Sequence, residues 1–291
     1  MYVVAGASGH TGKVVAETLL SQRKPVRVVL RDASKGEAWR ARGAEVAIAE
    51  LDDAAALTLA LKGATGAYLL LAPQMQSLDV RKDNAVRTAA IVKAIEASGV
   101  PHVVFLSSVA SQHERGTGPI VSTHDAEQAL RRVKADVTFV RASYFMENWG
   151  ASLYGLAQNA LPTFLNADAK IPMVATRDIG TTAAKALVEG GHGKSVIELS
   201  GPREYSPRDV AAALGRVTGK TIALQVGPEE AMIPALTGAG LNAHWAELFK
   251  EMTHGVNTGH VAFEGGSARP VRGSTEIDAV LAQLVGKPAA H

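Results

Sequence analysis

The chain has 291 residues, 47% of them hydrophobic, enough to bury one large core or a core with a smaller lobe. A formal net charge of +2 gives no electrostatic pull toward nucleic acid or an anionic membrane. There is no cysteine, which excludes disulfide frameworks, thiol nucleophiles and cysteine metal sites.

The first predicted strand begins at Met1–Tyr2, so no secretory leader is expected. No apolar run reaches the roughly 20 residues needed to span a bilayer, and a soluble, cytoplasmic protein is expected. The strand runs into Gly6-Ala-Ser-Gly9-His-Thr-Gly12 and then an apolar helical stretch. Glycines spaced this way between a strand and a helix build a turn for a dinucleotide diphosphate. Gly6 permits a sharp exit from the strand, Gly9 clears a side chain where backbone approaches phosphate, and Gly12 lets the helix pack closely on the sheet. The helix N-terminus adds unpaired N–H groups, with Thr11 as the expected cap.

The second strand, Val26–Leu30, ends in Arg31. An acid at that point takes the ribose hydroxyls of NAD, whereas a cation pairs with the 2′-phosphate of NADP. Lys35 supplies a second charge one turn on, and Asp32 is the competing contact, to the ribose of NAD.

A charged helix near Ser34–Arg42 precedes a third strand, Ala44–Ala49, which ends in Glu50-Leu-Asp52-Asp53. Then come a short helix Ala54–Leu61, a strand Gly66–Leu71 leading into Ala72-Pro73-Gln74, a long helix Leu78–Ser98, and a strand Val100–Leu106 entering Ser107-Ser108. Apolar strands alternating with helices specify a parallel sheet covered on both faces. Ligands of such sheets bind beyond the carboxyl ends of the strands, where Gly6, Arg31, Asp52, Ala72, Pro73 and Ser107 fall.

Gln112–Thr123 has no hydrophobic period and reads as a mobile loop over the site. A helix Ser122–Val133 and a sixth strand Asp136–Arg141 follow. From Tyr144 the pattern is less regular, interrupted by Leu161-Pro162 and Ile171-Pro172. A helix Asp178–Val188, capped by Thr176 or Asp178, leads to a strand–helix–strand set at Val196–Leu199, Pro207–Val217 and Thr221–Val226. The tail from Met232 is mostly helical, with Gly255–Arg272 loop-like. The expected fold is α/β: a Rossmann-type doubly wound parallel sheet over residues 1–150, joined by about 176–200, with a smaller C-terminal α/β substrate lobe mainly over 151–291.

Five blocks carry a family resemblance: Gly6–Gly12, Leu30–Lys35, Ser122-Thr-His124-Asp-Ala-Glu127, Val140-Arg141-Ala-Ser-Tyr144-Phe-Met-Glu-Asn148, and Ala175-Thr-Arg-Asp178-Ile. Gly219-Lys-Thr adds to them. Together they resemble the NmrA-like branch of the atypical short-chain dehydrogenases. That group includes NADPH:quinone oxidoreductases, triphenylmethane reductases and regulators that bind NADP without turning it over. The resemblance implies NADP(H), with Gly6, Ser8, Gly9, His10, Thr11 and Gly12 lining the diphosphate and Arg31 and Lys35 facing the 2′-phosphate. It implies Asp52 near adenine, and Ala72, Pro73 and Ser107 along the nicotinamide.

Alcohol-oxidising short-chain dehydrogenases pair a tyrosine with a lysine four residues on. Here Tyr68, Tyr144, Tyr154 and Tyr205 are followed at that distance by Ala72, Asn148, Gln158 and Asp209. Reducing a quinone does not need the pair, because the acceptor is already electrophilic; the protein has to orient the rings, exclude water and supply a proton. Tyr144, His124 and Ser108 are the candidate donors, and Gln74, Phe145, Asn148 and Trp149 the candidate substrate contacts.

The expected activity is hydride transfer from NADPH to a quinone or similar small-molecule electron acceptor, by a monomer or homodimer. The alternative is a non-catalytic NADP sensor. A DNA-binding helix-turn-helix at Asp209–Leu224 is disfavoured, because Thr221–Val226 alternates like a strand, and neither nucleic acid nor membrane is expected as a partner. The nine histidines are scattered, and no metal site is expected.

Overall fold

The computed structural model describes residues 1–286. The strands are β1 (Tyr2–Ala5), β2 (Val26–Leu30), β3 (Glu45–Ile48), β4 (Gly66–Leu70), β5 (His102–Ser108), β6 (Asp136–Ala142), β7 (Tyr144–Phe145), β8 (Ala160–Thr163), β9 (Ile171–Val174), β10 (Lys194–Ser200), β11 (Glu204–Tyr205), β12 (Ala223–Val226) and β13 (Arg269–Arg272). The helices are α1 (His10–Ser21), α2 (Gly36–Arg40), α3 (Ala54–Leu61), α4 (Val80–Ser98), α5 (Val121–Leu130), α6 (Thr176–Glu189), α7 (Pro207–Thr218), α8 (Met232–Gly238), α9 (Ala243–Asn257) and α10 (Ile277–Leu284).

Eight strands form one sheet in the order β3-β2-β1-β4-β5-β6-β10-β13, and every pairing in it is parallel. This is the doubly wound arrangement expected from the alternation. Successive side chains of a strand point to opposite faces, and the core divides accordingly. Val3, Ala67, Leu69, Val103 and Phe105 pack with Leu57 and Leu61 of α3, Ile91 and Ile95 of α4, and Leu130 of α5. Val4, Tyr68 and Val104 pack on the other face with Val15 and Leu19 of α1 and Ala183 and Leu187 of α6. A third cluster joins Met146, Trp149, Met173, Tyr205, Leu214 and Leu281 in the C-terminal part. Two small sheets, β11-β9-β7 and β12-β8, hang beside the carboxyl end of β6.

Several expectations need correction. Gly255–Arg272 is not all loop, because β13 closes the large sheet beside β10, pairing Pro270 with Glu198. Its composition hid it: an edge strand tolerates the proline and the two arginines that argue against an interior one. The helix expected near Ser34–Arg42 is broken into a 3-10 turn, Ala33–Lys35, and the short α2. Gln112–Thr123 is not a free loop. Ser111 and Thr117 are fully buried, Gly118–Ile120 forms a 3-10 turn leading into α5, and Gly118 lies so close to α9 that a Cβ there would sit 2.1 Å from the Leu248 carbonyl oxygen.

Two caps also differ. Gly9, not Thr11, is the N-cap of α1, and it caps without a side chain. Neither Thr176 nor Asp178 caps α6, which starts after Ala175. Glu147 does so from a distance, its Oε1 accepting from Thr176 N at 2.8 Å and Thr176 Oγ1 at 2.6 Å, while Asp178 accepts from Thr275. The segment Thr221–Val226 contains β12, paired with β8, so no second helix follows α7 as a helix-turn-helix requires.

Candidate functional site

The glycine turn has the geometry of a phosphate cradle. Gly6 has φ +67°, and its N-terminal position in the turn lets the Gly9 N–H reach its carbonyl at 2.9 Å. A Cβ on Gly12 would sit 2.4 Å from the Gly6 carbonyl oxygen, so only glycine lets the first turn of α1 approach the loop this closely. Ser8, Gly9 and His10 are exposed, and the N–H groups of His10, Thr11 and Gly12 have no acceptor among the described residues. Such a cluster of free amides at a helix start is suited to an anion.

Thr11 is buried beneath this surface, where its Oγ1 accepts from the Tyr68 hydroxyl at 2.9 Å. Burial raises the Tyr68 phenol well above its usual range, so it stays a donor. Gly180 of α6 packs against the same turn: a Cβ there would lie 2.5 Å from Val14 Cβ and 2.8 Å from the Thr11 carbonyl. Gly180 was missed in the sequence, where a lone glycine inside a helix carries no sign of its partner.

At the end of β2, Arg31 and Lys35 are exposed and form no ion pair among the described residues. Asp32 is differently engaged. Its Oδ1 accepts from the Ser34 hydroxyl at 2.6 Å and the Ser34 N–H at 2.9 Å, and these bonds hold its carboxyl below the usual range. One of its two oxygens is thus engaged by the local turn.

Asp52 is exposed beyond β3. The Ala72 carbonyl accepts from Arg87 Nη1 at 3.1 Å, a buried guanidinium whose pKa burial lowers. Pro73 and Gln74 are exposed in the following loop, which α9 fastens. Trp245 Nε1 donates to the Gln74 carbonyl at 2.9 Å, and Asn242 Nδ2 to those of Met75 and Ser77 at 3.0 and 3.1 Å.

At the end of β5 the Ser107 hydroxyl turns inward. It donates to Glu127 Oε1 at 2.6 Å, and Arg141 holds both oxygens of that fully buried carboxylate at 2.9 and 2.8 Å. Arg141 also pairs with Glu264 at 2.6 Å. Burial opposes the Arg141 charge, but Glu127 and Glu264 together outweigh it and raise its pKa. Ser108 is half-buried, its N–H donating to Ser111 Oγ at 3.3 Å. His124 is half-buried, with Nδ1 2.9 Å from the Ser111 carbonyl oxygen. A carbonyl only accepts, so Nδ1 carries the hydrogen and Nε2 of the neutral ring is the acceptor.

Beyond β6 opens a cavity of about 730 Å³. Tyr144, Asn148 and Trp149 line it together; His124, Ser108, Gln74 and Phe145 do not. Phe145 packs into the core under the large sheet. Burial pushes the Tyr144 hydroxyl up to about 12, against the opposing effect of its hydrogen bond with Asn148. The Tyr144 and Trp149 rings are 6.3 Å apart and tilted by 57°. Phe164, Met232, Phe249 and Met252 complete the apolar wall. In the sequence these four look like ordinary core positions, and only the closure of α8 and α9 over β8 turns them toward a cavity. A larger groove, about 1210 Å³, lies over β6 and β10 between Arg131, Lys194 and Arg269. None of the sequence-nominated residues lines it, so size alone does not mark the site.

The parallel sheet, the glycine turn and the cations at the end of β2 define a Rossmann-type dinucleotide-binding protein. More narrowly, the chain belongs to the NmrA-like family, whose model matches residues 2–281. It is 25% identical over 293 residues to quinone oxidoreductase 2 of Escherichia coli K12, covering 99% of this chain and 94% of that protein. It is 24% identical over 252 residues to an NAD(P)H azoreductase of Xenophilus azovorans, covering 87% of this chain and 86% of that protein. The crystal structure of the E. coli NADPH-dependent quinone oxidoreductase QOR2 complexed with NADPH superimposes with a TM-score of 0.79 at 25% identity, covering 100% of this chain and 96% of that one. Among the described residues, no helix is long and apolar enough to cross a membrane.

Proposed function

We propose that this protein is an NADPH-dependent reductase that passes hydride to a quinone or a similar flat, conjugated acceptor. The observation that carries the reading is the apolar cavity walled by Tyr144, Trp149, Phe164 and Phe249, a chamber for stacked rings beside a dinucleotide fold. The relatives named above, a quinone oxidoreductase and an azoreductase, act on acceptors of this kind by their names.

The residues present fit NADP(H). The Gly12 contact leaves a cradle that any Cβ would fill, and the free amides of His10, Thr11 and Gly12 point into it. In this reading those amides hold the diphosphate, and Arg31 and Lys35 hold the 2′-phosphate. Asp52 sits by the adenine, and the Ala72–Pro73 backbone, steadied by Arg87 and Trp245, lines the nicotinamide. When bound, NADPH supplies the hydride.

The protein's own residues do the rest. The aromatic wall orients the acceptor and excludes water. Tyr144, whose hydroxyl burial pushes up to about 12 and so keeps protonated even in alkaline solution, donates a hydrogen bond to the acceptor oxygen where negative charge develops. With no lysine four residues on, this hydroxyl works as a donor and not as a base. One hydride to a ring carbon and one proton to the developing oxyanion suffice: the ring then rearomatises by moving a proton from that carbon to the second oxygen, which gives the hydroquinone. His124 and Ser108, outside the cavity wall, are assigned to supporting the β5 end and not to touching the acceptor. We place the enzyme in the cytoplasm, where reduced NADP is maintained, as a monomer or homodimer.

Purified protein mixed with NADPH and a panel of quinones tests the reading. Loss of the nicotinamide absorbance is expected; no loss with any quinone overturns it. The missing Tyr-x-x-x-Lys pair equally fits a protein that senses NADP without turnover. Tight binding of one redox form with no turnover would select that alternative.

A further inference from the structure

Among the described residues, Glu147 is the one charged side chain lining the 730 Å³ cavity. It forms no ion pair there, and no Lys, Arg or His faces it from the wall. Its Oε1 is held by the N–H and hydroxyl of Thr176, and its buried Oε2 has no hydrogen-bond partner. A carboxylate compensated only by one helix start leaves the chamber electronegative. The aromatic rings of Tyr144, Trp149, Phe164 and Phe249 in the same wall bring no positive charge to offset it.

We propose that Glu147 sets the charge specificity of this chamber: it selects conjugated ring systems that carry a positively charged nitrogen and rejects those that carry a sulfonate or carboxylate. The inference rests on reading the cavity as the acceptor site. The selection arises from through-space attraction and from desolvation of a like charge against a carboxylate, so direct contact with Oε2 is not required. A positive group remote from the reacting carbon keeps its charge during hydride transfer. The attraction of Glu147 for that group is therefore the same in ground and transition states, and the difference between charged and neutral acceptors falls on KM; repulsion of the developing oxyanion is common to all acceptors and cancels from the comparison.

Glu147→Gln isolates the charge, because the amide oxygen can still accept from Thr176 and cap α6. The first measurement is calorimetry with two probes that cannot be reduced, a naphthyl-trimethylammonium and a naphthalene sulfonate. Wild type is expected to bind the ammonium at least about tenfold more tightly, and E147Q to bring the two within about threefold. Glu147→Asp, which keeps the charge, should keep the preference. The second measurement is the KM and kcat of neutral, trimethylammonium-bearing and sulfonated naphthoquinones. The same ranking should appear in KM and vanish in E147Q. Equal affinities in wild type overturn the proposal, as does a preference that survives in E147Q. If no quinone is reduced, the reductase reading falls, and calorimetry still decides the charge selection.

Discussion

The Tyr68 hydroxyl donates to Thr11 Oγ1 across 2.9 Å, and both side chains are buried between β4 and α1. This bond ties the centre of the sheet to the first turn of the helix whose amides face the cradle. Tyr68→Phe leaves the Thr11 oxygen without its donor at nearly constant volume. The expected loss is about 1 kcal/mol of stability in denaturant unfolding, with a small weakening of NADPH affinity. Unchanged values in both would show that Thr11 finds another partner at no cost.

In the proposed reading the choice between NADP and NAD turns on the residues after β2. Asp32 is held by Ser34, while Arg31 and Lys35 are exposed and without an ion pair among the described residues. Arg31→Ala is expected to weaken NADPH binding by about tenfold or more, the worth of a charge-assisted phosphate contact, and to leave NADH nearly unaffected. Fluorescence titration with the two reduced coenzymes measures it. Equal losses for both would remove the phosphate role.

Much of this half of the molecule was legible because its signals are local. The glycine spacing, the apolar runs of β1, β4 and β5 and the turn residues after them all act within a few residues. The failures are non-local. Glu147 caps α6 from 29 positions away, a bond invisible to a reading that looks for caps beside the helix. Ser107 lies at the carboxyl edge as its strand dictates, yet its hydroxyl turns to Glu127, 20 residues on, because a buried carboxylate needs every donor within reach. The cavity wall was half legible: Tyr144, Asn148 and Trp149 follow β6 directly, whereas Phe164, Phe249 and Met252 reach it only through the packing of α9.

The buried pair Glu127–Arg141 is a stability centre. Their side chains are 1% and 3% exposed, and two hydrogen bonds join them. Glu127→Gln leaves the guanidinium buried with only Glu264 as its charge partner, at an expected cost of about 3 kcal/mol in chemical denaturation. Retained stability would mean that Glu264 alone satisfies Arg141.

Asp209 gives the fold an acid-sensitive cap. Its carboxyl is lowered to about 2, first by the hydrogen bond from Lys170, then by the Ser206 N–H in the capping box of α7. A carboxylate whose folded pKa lies below its unfolded value of 3.8 contributes stability above that value and loses it as pH falls toward 2. The site is about one-third exposed, so solvent screening reduces the contribution to about 1 kcal/mol. Asp209→Asn is expected to be less stable than wild type at pH 7, with the difference closing between about pH 4 and pH 2 in thermal melts. A difference independent of pH would assign the cap to geometry alone.

Tyr144 connects the pocket's shape to its chemistry. In the proposed mechanism its hydroxyl meets the acceptor oxygen, in a wall that is otherwise largely apolar and that Asn148 also lines. Tyr144→Phe keeps the ring against Trp149 and removes only the donor. The expected result is a fall in kcat of about a hundredfold, the usual worth of one positioned proton donor, with KM changed far less. Burial also predicts the shape of the pH profile. An ordinary phenol near 10 would begin to lose its proton above pH 9, but one held near 12 keeps it. The wild-type rate should therefore stay level from pH 7 to about pH 10.5 under saturating NADPH. A decline centred near pH 10 that disappears in Tyr144→Phe would show that the hydroxyl is solvated when the acceptor is bound, and that the chamber does not exclude water.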